Sequence, residues 1–494
     1  MEAAERGPRE PTLLDAVLPV IVLVVLLALT LALFGVGATD GPLQVALFLS
    51  GGFAALMAAK NGHTFDAMRA AAVQGVSSAM EAIFILLAVG ALIGTWNLSG
   101  TIPTVVSYGI EVLRPSIFFL AVAIVCALIG AITGSSWTTA GTLGVAFVGM
   151  APILGVSETI AAGAVVSGAY CGDKMSFLSE TTILVPSLVG GVTTNQHIRG
   201  MAWTVIPAFG ASLVAFLVIG LNEDVSGSSA AAVEQARAAI ESVFSINILN
   251  LLPLVLLIVV ALRRLPAFLS ILGVALFSGV LAAFTQPDVV RAFVDEPGQN
   301  YLRTSIEAIY AAMATGFVST SGNEAIDSLF SRGGMASMLT TVWLILGALS
   351  FAAVMEQAGF LDRLIRPVVA RARSATRLIL TVAATAIGLN ILAGDQYIAV
   401  VMPSRIFRVE FAERGLAPRM LSRTVEDTGT VTSPLVPWNS CGAYMSGVLG
   451  VPTLSYAPWA LFNILNPLVA IGYAVTGFHV ERLPDAAASD LAPK

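Results

Sequence analysis

Charge is scarce in this sequence. Asp, Glu, Lys and Arg together make up 11% of its 494 residues, while hydrophobic residues make up 56%; an ordinary soluble domain carries about 25% charged residues. A soluble globular chain is thereby excluded, and the net charge of −6 decides little in a chain so apolar. Cysteine is scarce too: Cys126, Cys171 and Cys441 stand in apolar or Gly-rich stretches, which argues against a disulfide framework and offers no zinc spacing. Three histidines without metal-like spacing point the same way. The sequence has no His-Glu-x-x-His, no Gly-x-Gly-Asp and no His near a Gly-x-Ser-x-Gly, so an intramembrane protease or other enzyme finds no footing. It also lacks a Gly-x-x-x-x-Gly-Lys-Ser/Thr loop and any loop long enough for a nucleotide domain, which rules out an ATP-driven pump. No cofactor and no nucleic-acid partner is expected.

What is present is a succession of long apolar runs, at 13–35, 41–60, 77–97, 116–133, 201–221, 246–262, 265–285, 335–357, 378–393 and 456–478. A helix of roughly 20 apolar residues spans a bilayer, so the chain reads as an all-α polytopic membrane protein. The first run, "AVLPVIVLVVLLALTLALF", outlasts a typical signal-peptide core and is followed by no A-x-A-like site, so it is kept as a span. Arg6, Arg9, Lys60, Arg69, His197, Arg199, Arg263, Arg264 and the Arg run from 363 to 377 mark the cytoplasmic stretches. The stretches around Asp40, from Glu223 to Glu241 and from Asp288 to Glu296 are expected outside. These assignments alternate consistently only if 116–154 and 378–404 each enter and leave on one side, as re-entrant hairpins. Both termini are then cytoplasmic, and a bacterial-type inner membrane is the expected location.

The sequence repeats itself. "FDAMRAAAVQG" (65–75) aligns with "IEAIYAAMATG" (306–316), "LSG" (98–100) with "QAG" (357–359), and "ITGSSW" with "LAGDQY", where Ser135 faces Asp395. Asp173-x-x-Ser176-x-x-Ser179 aligns with Asp427-x-x-Thr430-x-x-Ser433 at a similar offset. The stretch after 41–60 is basic while that after 265–285 is acidic, and 98–115 is nearly uncharged while 357–377 is Arg-rich, so the repeats are expected to be inverted. The domain plan is a tail and first helix (1–40), a first repeat (41–221), a linker (222–245), a second repeat (246–478) and a C-terminal tail (479–494). Paired interrupted helices that meet near the midplane are the mark of a secondary transporter. A channel is less consistent with such broken helices than alternating access is.

"SGAYCGDKMSFLSETTILVP" (167–186) and "EDTGTVTSPLVPWNSCGAYM" (426–445) place Gly, Pro, hydroxyls and charges where a spanning helix should be continuous, so each helix is expected to unwind there. Freed carbonyls, hydroxyls and one carboxylate suit a hard cation such as Na⁺. The tips "TGSSWTT" (133–139) and "AGDQY" (393–397) are expected to close on that site. With "GALIGTWNLSGTIP" and "ITGSSWTTAGTLGVAF", these stretches make residues 41–478 resemble the NhaC-type Na⁺/H⁺ antiporter family. The resemblance implies the ion-transporter superfamily architecture, with two inverted repeats that each hold a hairpin and a broken helix, and antiport of Na⁺ against H⁺. It leaves open coupled transport of a small organic solute, such as malate/lactate exchange or amino-acid transport, and by analogy implies a homodimer.

The candidate ion or substrate ligands are Thr133, Ser135, Ser136 and Thr138 on the first tip; Asp173, Ser176 and Ser179 on the first broken helix; Asp395 and Gln396 on the second tip; and Asp427, Thr430, Ser433 and Asn439 on the second broken helix. Na⁺ is assigned to Asp173, Asp395 and Asp427. Glu81, Glu180, Glu356 and Glu426 are proton-path candidates, each with a structural role as partner to an Arg or hydroxyl as the alternative. Asp173 and Asp427, each with a hydroxyl three residues on, also read as helix N-caps, although an ionisable group inside a membrane usually marks function. Asp395 also reads as a turn residue. Lys174, next to Asp173, is expected to neutralise it, which favours Asp427 and Asp395 as the exchanging acids. "STSGNEAIDSLFSRGG" (319–334) reads as an external loop or interfacial helix.

Overall fold

The computed structural model describes residues 8–223, 230–263, 265–296, 298–372 and 374–483. Arg6, Arg264, Arg373, part of the 222–245 linker and the tail from 484 onward lie outside the described residues. Every apolar run named above is helical. Among the described residues eight helices are long and apolar enough to cross a membrane, and two further runs are bent pairs, Glu234–Val243 with Ile248–Leu262 (88°) and Thr453–Trp459 with Leu461–Thr476 (56°). Among the described residues the extended structure is one isolated antiparallel bridge, Leu416 with Arg482. The chain is thus an all-α polytopic membrane protein.

Local signals start these helices where the sequence has them. Leu13–Phe34 opens with a capping box between Thr12 and Asp15, and Thr194–Asn222 opens with one between Thr193 and Gln196. Asp15 also pairs with Lys60 at 2.9 Å, which ties the start of the first helix to the end of Pro42–Lys60.

Two helix–turn–helix hairpins form. The first runs from Phe118–Thr133 through a turn into Ser136–Thr139 and, after one π turn at Ala140–Gly144, into Val145–Ile153. The second joins Ala375–Leu392 to Gln396–Glu413. Its second arm runs nine residues beyond the expected end at 404, because Pro403 sits inside the helix without ending it. The turns match: Gly134 (φ 67°) and Gly394 (φ 61°) take the left-handed conformation that glycine adopts freely. The next residue, Ser135 or Asp395, then caps the second arm.

Both long helices that carry the polar stretches are broken. Glu158–Lys174 stops and Glu180–Val189 resumes after a five-residue gap. Pro418–Val425 passes into a π turn, Glu426–Thr430, then a short 3₁₀ turn, Ser433–Leu435, before Ser440–Leu449 resumes. The first hairpin and first broken helix touch closely because glycines permit it. A Cβ on Gly172 would sit 2.1 Å from the Ala127 carbonyl oxygen, and one on Gly168 2.2 Å from that of Ala123.

Around these elements the halves are exchanged. Ala267–Thr285, late in the chain, packs along Met80–Leu98, and the early Pro42–Lys60 packs along Leu339–Gln357. The 319–334 stretch holds a short helix, Glu324–Phe330, and its end is docked rather than free. Phe330 is fully buried, and the Gly334 amide donates to the Gly90 carbonyl at 2.6 Å.

Candidate functional site

The hairpin turns, the break at 175–179 and the start of Ser440–Leu449 surround one cavity of about 1560 Å³. Its polar wall is acidic. Glu81, Asp173, Glu180, Glu356 and Asp395 line it, and no Lys, Arg or His does among the described residues. Met80–Leu98 and Leu339–Gln357 supply Glu81 and Glu356 from opposite helix ends, and an apolar wall that includes Leu257, Ile271 and Leu349 completes it.

Eleven of the sequence-predicted residues open onto this cavity: Thr133, Ser135, Ser136, Thr138, Asp173, Ser179, Asp395, Gln396, Glu81, Glu180 and Glu356. The first tip is built by its own hydroxyls. Ser135 Oγ accepts from the Thr138 amide (3.1 Å) and hydroxyl (3.0 Å), and Asp173 Oδ2 accepts from the Ser136 amide (3.0 Å). Asp173 is therefore docked to the opposing tip, and it lies in the last turn of its helix rather than at a start. The second tip is built alike. Asp395 Oδ1 accepts from the Ile398 amide (3.0 Å), Ser440 Oγ donates to Asp395 Oδ2 (3.3 Å), and the Ser440 amide donates to the Gly394 carbonyl (2.8 Å). Gln396 Oε1 receives Ser433 Oγ at 2.8 Å and the Cys441 thiol at 3.0 Å. Tyr397 donates to Glu180, which joins the second tip to the first broken helix across the cavity.

The other candidates lie behind the wall. Ser176 Oγ donates to the Ala131 carbonyl (2.8 Å) and accepts from the Leu178 amide (3.1 Å), so it holds the break in shape. Asn439 caps Ser440–Leu449 through Cys441 N and reaches the Asn390 carbonyl. Ser433 and Thr430 sit on the second break, with Ser433 Oγ 2.7 Å from the Thr430 carbonyl.

Three expectations are corrected here. Lys174 does not neutralise Asp173: its Nζ lies 2.8 Å from Asp427 Oδ1, with both side chains fully buried. Consecutive helical residues point in directions about 100° apart, so Lys174 faces the second broken helix while Asp173 faces the hairpin tip. Neither Asp173 nor Asp427 is an N-cap; Asp427 lies inside the π turn Glu426–Thr430, and the acid that does cap a helix is Asp395. The three-carboxylate Na⁺ site is not assembled either. Asp173 and Asp395 meet the cavity, Asp427 does not, and among the described residues no three Asp, Glu, His or Cys side chains converge as a metal cage.

Several contributing residues lie outside the predicted set. Thr204 Oγ1 (3.0 Å) and Asn466 Nδ2 (3.1 Å) donate to Asp427 Oδ1, and Arg423 Nε approaches Oδ2 at 4.0 Å. Asn390 Nδ2 donates to the Gly429 carbonyl at 2.6 Å and Asn463 Nδ2 to that of Val431 at 2.8 Å, which satisfies the unwound backbone of the second break. Trp137 of the first tip stacks on Tyr444 at 4.0 Å and accepts its hydroxyl at the backbone carbonyl (2.8 Å). The signal for the amides was present: Asn390, Asn463 and Asn466 stand alone in apolar spans, where a polar group needs a partner.

Apolar spans, two hairpins and two broken helices about an acidic cavity define a multi-pass membrane transporter. Comparison with known sequences gives the particular kind. The Na⁺/H⁺ antiporter family matches residues 4–190 and 168–478, and the chain belongs to that family. It is 35% identical over 418 residues to the Na⁺/H⁺ antiporter NhaC of Alkalihalophilus pseudofirmus, with 84% of this chain and 86% of that one covered. It is likewise 35% identical over 470 residues to the malate-2H⁺/Na⁺-lactate antiporter of Bacillus subtilis, covering 95% and 96%. To the arginine/ornithine antiporter ArcD of Halobacterium salinarum it is 32% identical over 473 residues, covering 95% and 93%.

Proposed function

We propose that this chain exchanges Na⁺ for H⁺ across the cytoplasmic membrane by alternating access, with Asp173 and Asp395 as the carboxylates that take either ion from the cavity. The observation that carries this reading is the cavity wall of five carboxylates without a basic group. Such a wall concentrates cations and repels anions. A carboxylate that holds a proton offers Na⁺ no charge, so the two ions compete for one place and a proton gradient can expel Na⁺. Glu81, Glu180 and Glu356 stand along the way as proton relays. The two halves are read as inverted repeats, 41–221 and 246–478, whose hairpins and broken helices move past the remaining spans. Both termini are read as cytoplasmic, the protein as a homodimer, and exchange as driven by gradients without a cofactor.

A second reading, coupled transport of a small organic solute, is favoured by the cavity's size. At about 1560 Å³ it exceeds the roughly 300–1,000 Å³ of ordinary ligand pockets. Its wall suits an ammonium group better than a free carboxylate such as malate or lactate. Proteoliposomes with an imposed Na⁺ gradient and an internal pH dye decide between the readings. Proton movement driven by Na⁺ alone, and abolished in Asp173→Asn, is the expected result. Proton movement that waits for an added solute would displace it in favour of the second reading.

A further inference from the structure

One carboxyl behind the cavity has no ion-pair partner of its own among the described residues. Glu426 is completely buried, and neither of its carboxyl oxygens makes a close hydrogen bond, although the Thr430 and Thr181 hydroxyls stand beside it. Buried charges are otherwise paired or bound to an ion. The neighbouring cations are engaged elsewhere: Lys174 is seated on Asp427, and Arg423 turns to Asp427 and to the His479 carbonyl. The groups that face Glu426 are Lys174, Asp173 and the hydroxyls of Thr430 and Thr181.

Thr430 is out of step with the threonines around it. Thr424, Thr428 and Thr432 each donate to the carbonyl four residues back, as buried hydroxyls in membrane helices commonly do. Thr430 Oγ1 is buried and makes no such back-bond; it faces the Glu426 carboxyl instead. It lies in the π turn, the kind of helix irregularity that often sits at functional sites. Thr181, the other hydroxyl, lines the cavity and also faces the Glu426 carboxyl, so it links the two.

We infer that Glu426, Thr430 and Thr181 form a site for one dehydrated monovalent cation, Na⁺ or Li⁺, separate from the cavity carboxylates. The donors are all hard oxygens, which suit such an ion. A single carboxylate balances a single charge, and a divalent ion would leave excess positive charge beside Lys174. The inference rests on the reading of the chain as a Na⁺ transporter and adds a second place where Na⁺ is held.

The test uses the purified full-length chain in detergent, with the melting temperature followed as NaCl replaces choline chloride at constant ionic strength. In an Asp173→Asn/Asp395→Asn background, Na⁺ should still raise the melting temperature, and adding Glu426→Gln should abolish the rise. Thr430→Val in the same background keeps shape and removes one oxygen; it should move the Na⁺ midpoint upward roughly tenfold, as loss of about 1.4 kcal/mol of ligation would. A background variant that ignores Na⁺, or a Glu426→Gln variant that still responds, overturns the site. Should Glu426→Gln not fold, an unchanged midpoint in Thr430→Val overturns it equally. Absence of Na⁺-driven proton flux in the unmodified protein is a different failure and removes the transport reading instead.

Discussion

Replacing Asp427 by Asn removes one charge from a pair that has no water to fall back on. The amide oxygen can still accept from Thr204 and Asn466, as Asp427 Oδ1 does now at 3.0 and 3.1 Å, so the loss falls on the ion pair. At 2.8 Å two unit charges in a medium of effective dielectric near 20 attract by about 6 kcal/mol. Measured costs of breaking a buried pair are about 3–5 kcal/mol, because the remaining charge is left uncompensated. Asp427→Asn should therefore destabilise the fold by several kcal/mol. Lys174→Met/Asp427→Asn removes both charges, keeps much of the lysine's volume, and should recover most of that loss. Unfolding of the purified protein by SDS titration, followed by tryptophan fluorescence, gives the four corners of the cycle. A coupling near zero between positions 174 and 427, or an Asp427→Asn protein as stable as the original, would refute the argument.

Asp395→Asn keeps the cap on Ile398, since Asn caps as well as Asp; the protein should fold normally yet lose at least about tenfold in Na⁺-driven proton flux in proteoliposomes. Gly94→Ala places a Cβ 2.0 Å from the Ala312 carbonyl oxygen; overpacking of this kind costs about 1–3 kcal/mol, visible as a lower melting temperature in detergent. The Asp327 carboxyl outside the spans is held down to about 2, from an ordinary 3.8, chiefly by the Ser319 and Ser321 hydroxyls and then by the Ser321 and Gly322 amides. A depressed carboxyl stabilises the folded loop fully above its ordinary value and loses that contribution as pH falls through the folded one. Hydrogen-exchange protection of the Ser321 and Gly322 amides should thus drop between about pH 4 and pH 2, and Asp327→Asn should remove the pH dependence.

The parts of this molecule governed by one-dimensional rules were legible in the sequence. Apolar runs became helices, and the alignment of "ITGSSW" with "LAGDQY" placed Ser135 opposite Asp395, which cap matching turns after Gly134 and Gly394. What failed was inference from adjacency. Lys174 follows Asp173 in the chain, but a helix turns its neighbours apart, and the partner it meets is 253 positions away. The spacing Asp-x-x-hydroxyl likewise suits a cap and equally suits a π turn or a helix end; only the packed neighbours decide, and they are distant in sequence. Asn463 and Asn466 were findable as lone amides in an apolar span, whereas their targets on the second break were not.

The exchange of helices between halves governs how this protein can be made. Met80–Leu98 leaves the ribosome long before Ala267–Thr285, its principal neighbour, and Pro42–Lys60 waits still longer for Leu339–Gln357. During translation the early helices sit in lipid with their eventual contact faces bare, and Gly90 and Gly94 meet only fatty acyl chains until the residues around Ala312 and Gly334 arrive. Neither half should therefore fold as a unit by itself. A chain cut within the linker would yield two fragments that are stable only when synthesised together, and quality control in the membrane would read each one alone as unfinished.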